Sequence, residues 1–364
     1  MELSTREILR YQRHMRLTDF GKEGQLALKR ARVLLVGAGG LGCPVGLYLA
    51  AAGVGSITVA DGDQVELSNL QRQIGHRTAE VGLNKAQSLV SRMHAINDDI
   101  HYLALALHLG RGDVAVLEGI DLVIDGSDNF KTRYAMTDAC HQLEIPYLYG
   151  AIQQFEGQVS LFDSRHGPCY RCLFPHPPPK DLIPSCEQAG VLGVLPGVIG
   201  VMMANEAIKY LTGVGQVLLG RVLIYDALEP AMRMIQLARD PECPLCSGLS
   251  VPVDEVVEFS DLEIDARAAH QLQQRGARFM DVRDEVEVSI CAIEPYVHVP
   301  LVQLDVAALE VLDPTETWVV YCYDGIRSYR AVKFMRELGF ERAVSLAGGI
   351  KAWTEQIDPN LAKY

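Results

Sequence analysis

The stretch Val33–Asp63, "VLLVGAGGLGCPVGLYLAAAGVGSITVADGD", constrains the fold more than any other part of the chain. An apolar strand, a glycine turn, a helix, a second strand and an acid follow in that order. Gly37, Gly39 and Gly42 have the G-x-G-x-x-G spacing. Asp61 stands near the offset of roughly 20 residues at which a carboxylate meets a ribose hydroxyl. The glycines make the turn tight and let backbone amides approach phosphate at a helix N-terminus. This establishes a nucleotide pocket and leaves the choice between NAD and ATP open.

The pattern continues downstream. "DLVIDGSDN" reads as a third strand ending in polar residues, and "NFKTRYAMTDACHQL" as a helix capped by Asn129. "IPYLYGAIQQFEGQVSLFD" reads as strands with a turn at Glu156-Gly157, and "RVLIYDALEPAMRMIQL" returns to strand. Alternating elements of this kind predict an α/β fold, a doubly wound, Rossmann-like, mainly parallel sheet. The proline-rich "FPHPPPKDLIPSC" is a long loop. A linker is placed near Gly248 to Val257. It divides the chain into a first domain at 1–248, a linker at 249–258 and a smaller α/β domain at 259–364.

Bulk properties narrow the function classes. A chain of 364 residues with 49% hydrophobic content supports two packed cores. The net charge of −13 argues against nonspecific nucleic-acid binding. The most apolar stretch, "AGVLGVLPGVIGVMMANEAIKYL", is interrupted by Pro196 and glycines, so no membrane span is expected. The charged start "MELSTREILRYQRHMRL" is no signal peptide, and the expected location is cytoplasmic. Nine cysteines in such a setting point to metal or catalysis rather than disulfides.

The residues after the first two strands favour nucleotidyl transfer. "SNLQRQ" supplies Asn69, Gln71, Arg72 and Gln73, "GLNKAQ" supplies Lys85, and Asp128 ends the third strand motif. Cations stabilise charge on an α-phosphate and a departing pyrophosphate, and a carboxylate can hold Mg²⁺. Taken singly, Arg72 and Lys85 read better as solvated helix charges and Asp128 as a helix cap.

Taken together, "RYQRHMRL", "VGAGGLGCPVGLYLAAAGVG", "DGDQVELSNLQRQ", "GLNKA", "DGSDN", "GPCYRC", "SCEQAGVLG" and "CPLC" resemble the MoeB/ThiF family, relatives of ubiquitin-activating enzymes. The resemblance runs from about Glu7 to Gly248. It implies MgATP-dependent adenylylation of the C-terminal glycine of a ubiquitin-like sulfur carrier of MoaD/ThiS type. It also implies a nucleotide site of Gly37, Gly39, Gly40, Gly42, Asp61, Asp63, Ser68, Asn69, Leu70, Gln71, Arg72, Lys85, Asp128 and Asn129. Within that site Asp61 would meet the ribose, Asn69, Arg72 and Lys85 the phosphates, and Asp128 the magnesium. Arg13 would reach the neighbouring subunit's ATP site, so the active unit would be a homodimer. By the residues alone, Arg13 is an exposed charge on an N-terminal helix.

The cysteines fall into groups. Cys169 with Cys172, and Cys243 with Cys246, form two C-x-x-C pairs, the donor set of a closed tetrahedral structural Zn²⁺ site. Cys43, Cys140 and Cys291 lie in apolar surroundings and read as core. Cys186, in "IPSCEQAG", occupies a place that the resemblance links to covalent carrier intermediates. Cys322 opens a six-residue strand-to-helix loop ending at Arg327. Amides at a helix N-terminus are expected to lower its pKa into a range of about 3.5–7.5. A phosphatase loop has five residues between cysteine and arginine. Here there are four, a cradle sized for one persulfide sulfur.

From about Phe259 the chain resembles a rhodanese domain, through "FMDVRDEVEV", "HVPL" and "LAGGIKAW", with Asp281, Arg283, Gly348, Gly349 and Trp353 in familiar contexts. The glycine usual before "YVHVPL" is missing, and Tyr323 and Asp324 replace the usual basic loop residue. The combined resemblance implies carrier adenylylation followed by persulfide transfer from Cys322, giving a thiocarboxylate for molybdopterin, thiamine or a related sulfur pathway. The sulfur would come from a persulfide donor such as a cysteine desulfurase, or from thiosulfate. The alternative is a protein-modifier activator with an idle tail. A NAD-dependent oxidoreductase rests on the glycine motif alone.

Overall fold

The computed structural model describes residues 2–110, 112–177, 190–229, 231–247 and 262–362. They form two compact units, one up to residue 247 and one from residue 262. The linker expected at 249–258 lies outside the described residues.

The first unit is built on an eight-stranded sheet in the order β3-β2-β1-β4-β5-β6-β7-β8. The strands are β1 Arg32–Val36, β2 Ser56–Ala60, β3 His101–Leu105, β4 Leu122–Asp125, β5 Tyr147–Gln153, β6 Glu156–Phe162, β7 Arg221–Asp226 and β8 Ala231–Gln236. The strands from β3 to β5 in this order pair in parallel, and those from β5 to β8 in antiparallel. Val33 stands beside Ile57 on one side and Leu122 on the other.

The apolar run of β1 is explained by cover on both faces. Val33 and Leu35 join one buried cluster with Val45, Leu49, Leu89, Ile199 and Met203. Leu34 and Val36 join another with Val123, Tyr134, Tyr147 and Tyr170. The apolar segment at Pro196 is the helix Leu195–Thr212, with proline in its first turn, where its missing N–H costs nothing. It lies against the helix Gly42–Ala52. At Gly200 a side chain would come within 2.4 Å of Pro44 Cγ, so the two backbones approach closely. Among the described residues no helix is long and apolar enough to cross a membrane.

The hairpin turn falls at Gln154 and Phe155, just before the expected Glu156-Gly157, because Glu156 already pairs with Gln153. Gln154 takes the left-handed φ of 52° that closes it.

The second unit holds a five-stranded parallel sheet in the order β11-β10-β12-β13-β9. Its strands are β9 Glu263–Ile264, β10 Arg278–Asp281, β11 Tyr296–His298, β12 Trp318–Tyr321 and β13 Ala343–Leu346. Met280 and Val320 pack on one face, Phe279 and Val319 on the other.

Candidate active site

The strand order reverses between β1 and β4, since β2 and β3 extend from β1 one way while β4 and β5 extend the other. The C-terminal ends flanking such a switch point open a crevice that ligands use. The glycine turn follows β1 there, and the "DGSDN" segment follows β4.

The turn is locked by contact. Gly37 has φ +89°, and a side chain on it would reach 3.0 Å from the Gly126 backbone. On Gly42 a Cβ would sit 1.9 Å from the Gly37 carbonyl oxygen. Asp61 holds the turn from the end of β2. Its Oδ2 accepts the Ala38 N–H at 2.7 Å, and its Oδ1 accepts the Asp63 N–H at 2.8 Å. Each oxygen keeps a lone pair for another donor. Burial pushes the Asp61 pKa up, against the pull of these amides and of Lys85.

The cations stand around this turn. Lys85 is buried and lies 3.1 Å from Asp63 Oδ2. Burial opposes its charge, but Asp63 and Asp61 more than offset that and raise its pKa, with Asp128 adding to the effect. Lys85 begins the helix Lys85–Ile96, capped by Asn84, whose Nδ2 donates to the carbonyls of Asp61 and Asp63. Arg72 Nη1 donates to the Ser68 carbonyl at 3.2 Å, and its stem lies by Gly40. Asn69 is buried and accepts the Glu66 N–H, while Gln71 lies against Gly193. Ser68 is exposed and Leu70 half-buried on the same short helical segment. Asp128 and Asn129 are exposed beyond β4, and Asn129 caps the helix Phe130–Gln142 by accepting the Thr132 N–H at 2.8 Å.

Arg13 is exposed on the helix Thr5–Met15. Among the described residues its side chain has no hydrogen-bond or ion-pair partner. Cys186 lies outside the described residues.

Three residues beneath the crevice, Asp125, Arg133 and Tyr147, were given no role from the sequence, although Asp125 opens the "DGSDN" motif. Asp125 ends β4 fully buried, accepting the Tyr147 hydroxyl and the Ser127 N–H. Arg133 lies 3.8 Å from it and donates to the Ser127 carbonyl at 2.7 Å. They fix the backbone that leads to Asp128. An acid inside an otherwise apolar strand, "LVID", was the available signal.

Elsewhere in this unit the sulfur atoms of Cys169, Cys172, Cys243 and Cys246 all lie within 4.8 Å of one another. Three of the separations are 3.8, 3.6 and 3.8 Å. A tetrahedron with metal–sulfur arms of about 2.3 Å has edges of about 3.8 Å. The donor set therefore fits a closed four-thiolate centre.

In the second unit Cys322 follows β12 and precedes the helix Ile326–Glu337. Its sulfur has no solvent exposure and accepts the Gly325 N–H at 3.1 Å. The expected lowering of its pKa is not found. Burial and the neighbouring Asp324 push the thiol above its ordinary 9.0, outweighing Ser328 and Arg327. Arg327 donates both terminal nitrogens to Glu287 at 2.6 Å. On Gly349 a Cβ would lie 2.4 Å from the Cys322 carbonyl oxygen, so this position must be glycine to support the loop. Asp281 and Arg283 form a fully buried ion pair at 2.6 Å.

Among the described residues every cysteine is free of disulfides. Cys43 and Cys140 are core, but Cys291 is half-buried, its carbonyl accepting from Arg283.

Comparisons with known proteins agree with this geometry. The ThiF family model matches residues 11–245, and the rhodanese-like domain model matches residues 265–356. The chain is 41% identical to the probable adenylyltransferase/sulfurtransferase MoeZ of Mycobacterium tuberculosis, over 100% of this chain and 96% of the relative. It is 39% identical to the adenylyltransferase and sulfurtransferase MOCS3-1 of Zea mays, over 98% and 83%. The fold resembles the crystal structure of E. coli MccB with succinimide, at a TM-score of 0.58 and 23% identity, covering 65% of this chain and 74% of that one. The chain belongs to the ThiF family, as an adenylyltransferase and sulfurtransferase whose ThiF domain is followed by a rhodanese-like domain.

Proposed function

We propose that the first unit adenylylates the C-terminal glycine of a ubiquitin-like sulfur carrier and that Cys322 supplies the sulfur. The observation that carries this reading is the crevice itself, where Arg72, Lys85 and Asp128 converge on a glycine turn clamped by Asp61. The carrier carboxylate attacks the α-phosphorus of ATP, a P–O bond forms, and the bond to the β-phosphate breaks to release pyrophosphate. Lys85 and Arg72 are suited to the charge that develops there. Asp128 is an exposed carboxylate with an oxygen donor available, which fits Mg²⁺. Such an ion would neutralise phosphate charge. The four-thiolate cluster fits structural Zn²⁺ and leaves no open coordination position for chemistry.

The acyl adenylate then meets a persulfide on Cys322. Its outer sulfur attacks the carbonyl carbon, a C–S bond forms, and the C–O bond to AMP breaks. A thiol attacks the Cys322 sulfur of the resulting acyl disulfide, an S–S bond to that thiol forms, and the old S–S bond breaks with its electron pair leaving on the thiocarboxylate. A second thiol then releases Cys322 as a thiol and carries off the disulfide of the two reductant thiols. A homodimer with Arg13 completing the neighbouring site, an acyl-holding role for Cys186, and a persulfide donor such as a cysteine desulfurase belong to the same reading. So do domain limits near 248 and 259.

The full chain incubated with MgATP and candidate carriers, with products weighed by mass spectrometry, tests this. Carrier–AMP without any thiocarboxylate in the presence of a persulfide donor would favour the idle-tail alternative, which the Glu287-bound Arg327 and the raised thiol pKa of Cys322 make concrete.

A further inference from the structure

The glycine turn is held from two sides. Asp61 holds the Ala38 N–H. The Ala38 carbonyl points the other way, to a buried imidazole. His76 Nε2 lies 2.8 Å from that oxygen. A carbonyl only accepts, so Nε2 carries the proton. Cys43 also reaches this oxygen at 3.3 Å, as a weaker donor.

Behind the ring, His76 Nδ1 lies 2.7 Å from Ser88 Oγ, which lies 2.9 Å from Glu80 Oε2. The single Ser88 proton can face Nδ1, which leaves the ring neutral, or Glu80, which requires a proton on Nδ1 as well and a charged ring; in either arrangement Nε2–H stays on Ala38. Burial pushes the His76 pKa below the usual imidazole value, so the neutral ring with its proton on Nε2 is favoured at neutral pH. Ser88 sits three residues after Lys85 on the same helix. The relay therefore joins the helix that carries the phosphate-facing cation to the turn that carries the amides.

The peptide between Ala38 and Gly39 is trans, so its C=O and N–H point in opposite directions. Fixing the Ala38 oxygen on His76 turns the Gly39 N–H away from the core. That amide has no hydrogen-bond partner among the described residues. The space on the side-chain side of Gly39 is open apart from Gln73, 3.5 Å away. Gln73 is buried, and its own Oε1 has no partner.

We propose that His76 is a positioning residue of the nucleotide site, holding the Ala38 carbonyl so that the Gly39 amide faces the bound phosphates, with Ser88 fixing the ring from behind. This rests on reading the crevice as a nucleotide site, and the test separates the two.

His76→Leu removes the donor and keeps an apolar side chain. His76→Gln keeps an N–H able to reach the same oxygen. Two readouts are taken on the full chain: amide hydrogen exchange of a peptide spanning residues 37–42 without nucleotide, and MgATP affinity by calorimetry. His76→Leu is expected to speed exchange and weaken MgATP by about tenfold each, the worth of one buried hydrogen bond. His76→Gln is expected to recover most of both. A His76→Leu chain equal to wild type, or His76→Gln no better than His76→Leu, overturns the proposal. Should His76→Leu not fold, Ser88→Ala decides the matter. It is expected to shift both readouts in the same direction by a few-fold, and no shift overturns the relay. Failure of the wild type to bind MgATP would sink the nucleotide reading alone, because exchange of the turn still reports on the clamp.

Discussion

Arg171 lies between two cysteines of the four-sulfur cluster and donates Nε and Nη2 to the two carboxylate oxygens of Asp138, at 2.7 and 2.9 Å. Its side chain is fully buried, and Asp138 sits on the helix Phe130–Gln142, which starts beside Asp128. The cluster is thus tied to the element that begins at the crevice. One zinc per chain is expected by elemental analysis, lost in Cys243→Ser together with a large drop in melting temperature. Arg171→Met removes both donors to the half-buried Asp138 and the one to the Pro175 carbonyl, and is expected to cost about 1.5–3 kcal/mol in denaturant titration. Metal-free protein that melts like the wild type would refute the structural role.

Asp128→Ala is expected to lower carrier–AMP formation at least a hundredfold with the melting temperature unchanged, since Asp128 is exposed and holds no described hydrogen bond. A chain carrying Asp128→Ala mixed with one carrying Arg13→Ala regains activity if Arg13 serves its neighbour, because one intact site forms in the mixed dimer. Demonstrated mixed dimers with no recovery would remove Arg13 from the site.

Cys322 gives a pH signature. The nucleophile is the thiolate, and the thiol's pKa stands above 9.0. The thiolate is therefore the minor form at pH 7 and 8 and its fraction keeps rising with pH through that range. Sulfur loading from a persulfide donor should follow that rise. Asp324 is one of the groups that raise the pKa, so Asp324→Asn should move the rise to lower pH and speed loading at pH 7. Cys322→Ala should leave adenylylation intact and abolish thiocarboxylate. A plateau in loading below pH 8 would contradict the buried, raised thiol.

Tyr147→Phe removes the hydroxyl that Asp125 accepts and leaves Ser127 and Arg133 to satisfy the acid. The expected loss is about 1–3 kcal/mol of unfolding free energy. A parallel rise in the KM for ATP would place the effect at the Asp128 loop, and an unchanged KM would confine it to the core.

The strand–turn–helix unit, Lys85 and the paired cysteines were legible in the sequence because their signals are local, a spacing or a pair three residues apart. Asp125, Arg133 and His76 were not, because their meaning depends on which strands become neighbours. Asp125 matters once β5 places Tyr147 beside β4, as the Asp125–Tyr149 register requires. The direction of the Cys322 pKa escaped for a related reason. The helix N-terminus is visible in the order of residues, whereas the burial that outweighs it is a property of the packed loop.

The fully enclosed sulfur of Cys322 also sets a timescale. If Cys322 carries the sulfur as proposed, dissolved small thiols would reach its Sγ only when the loop that encloses it moves. The lifetime of the stored sulfur is then governed by that motion, so its loss levels off as glutathione concentration rises. A partner that engages the loop directly can collect the cargo without waiting. On the proposed reading, discharge would thereby be coupled to recognition of a specific recipient.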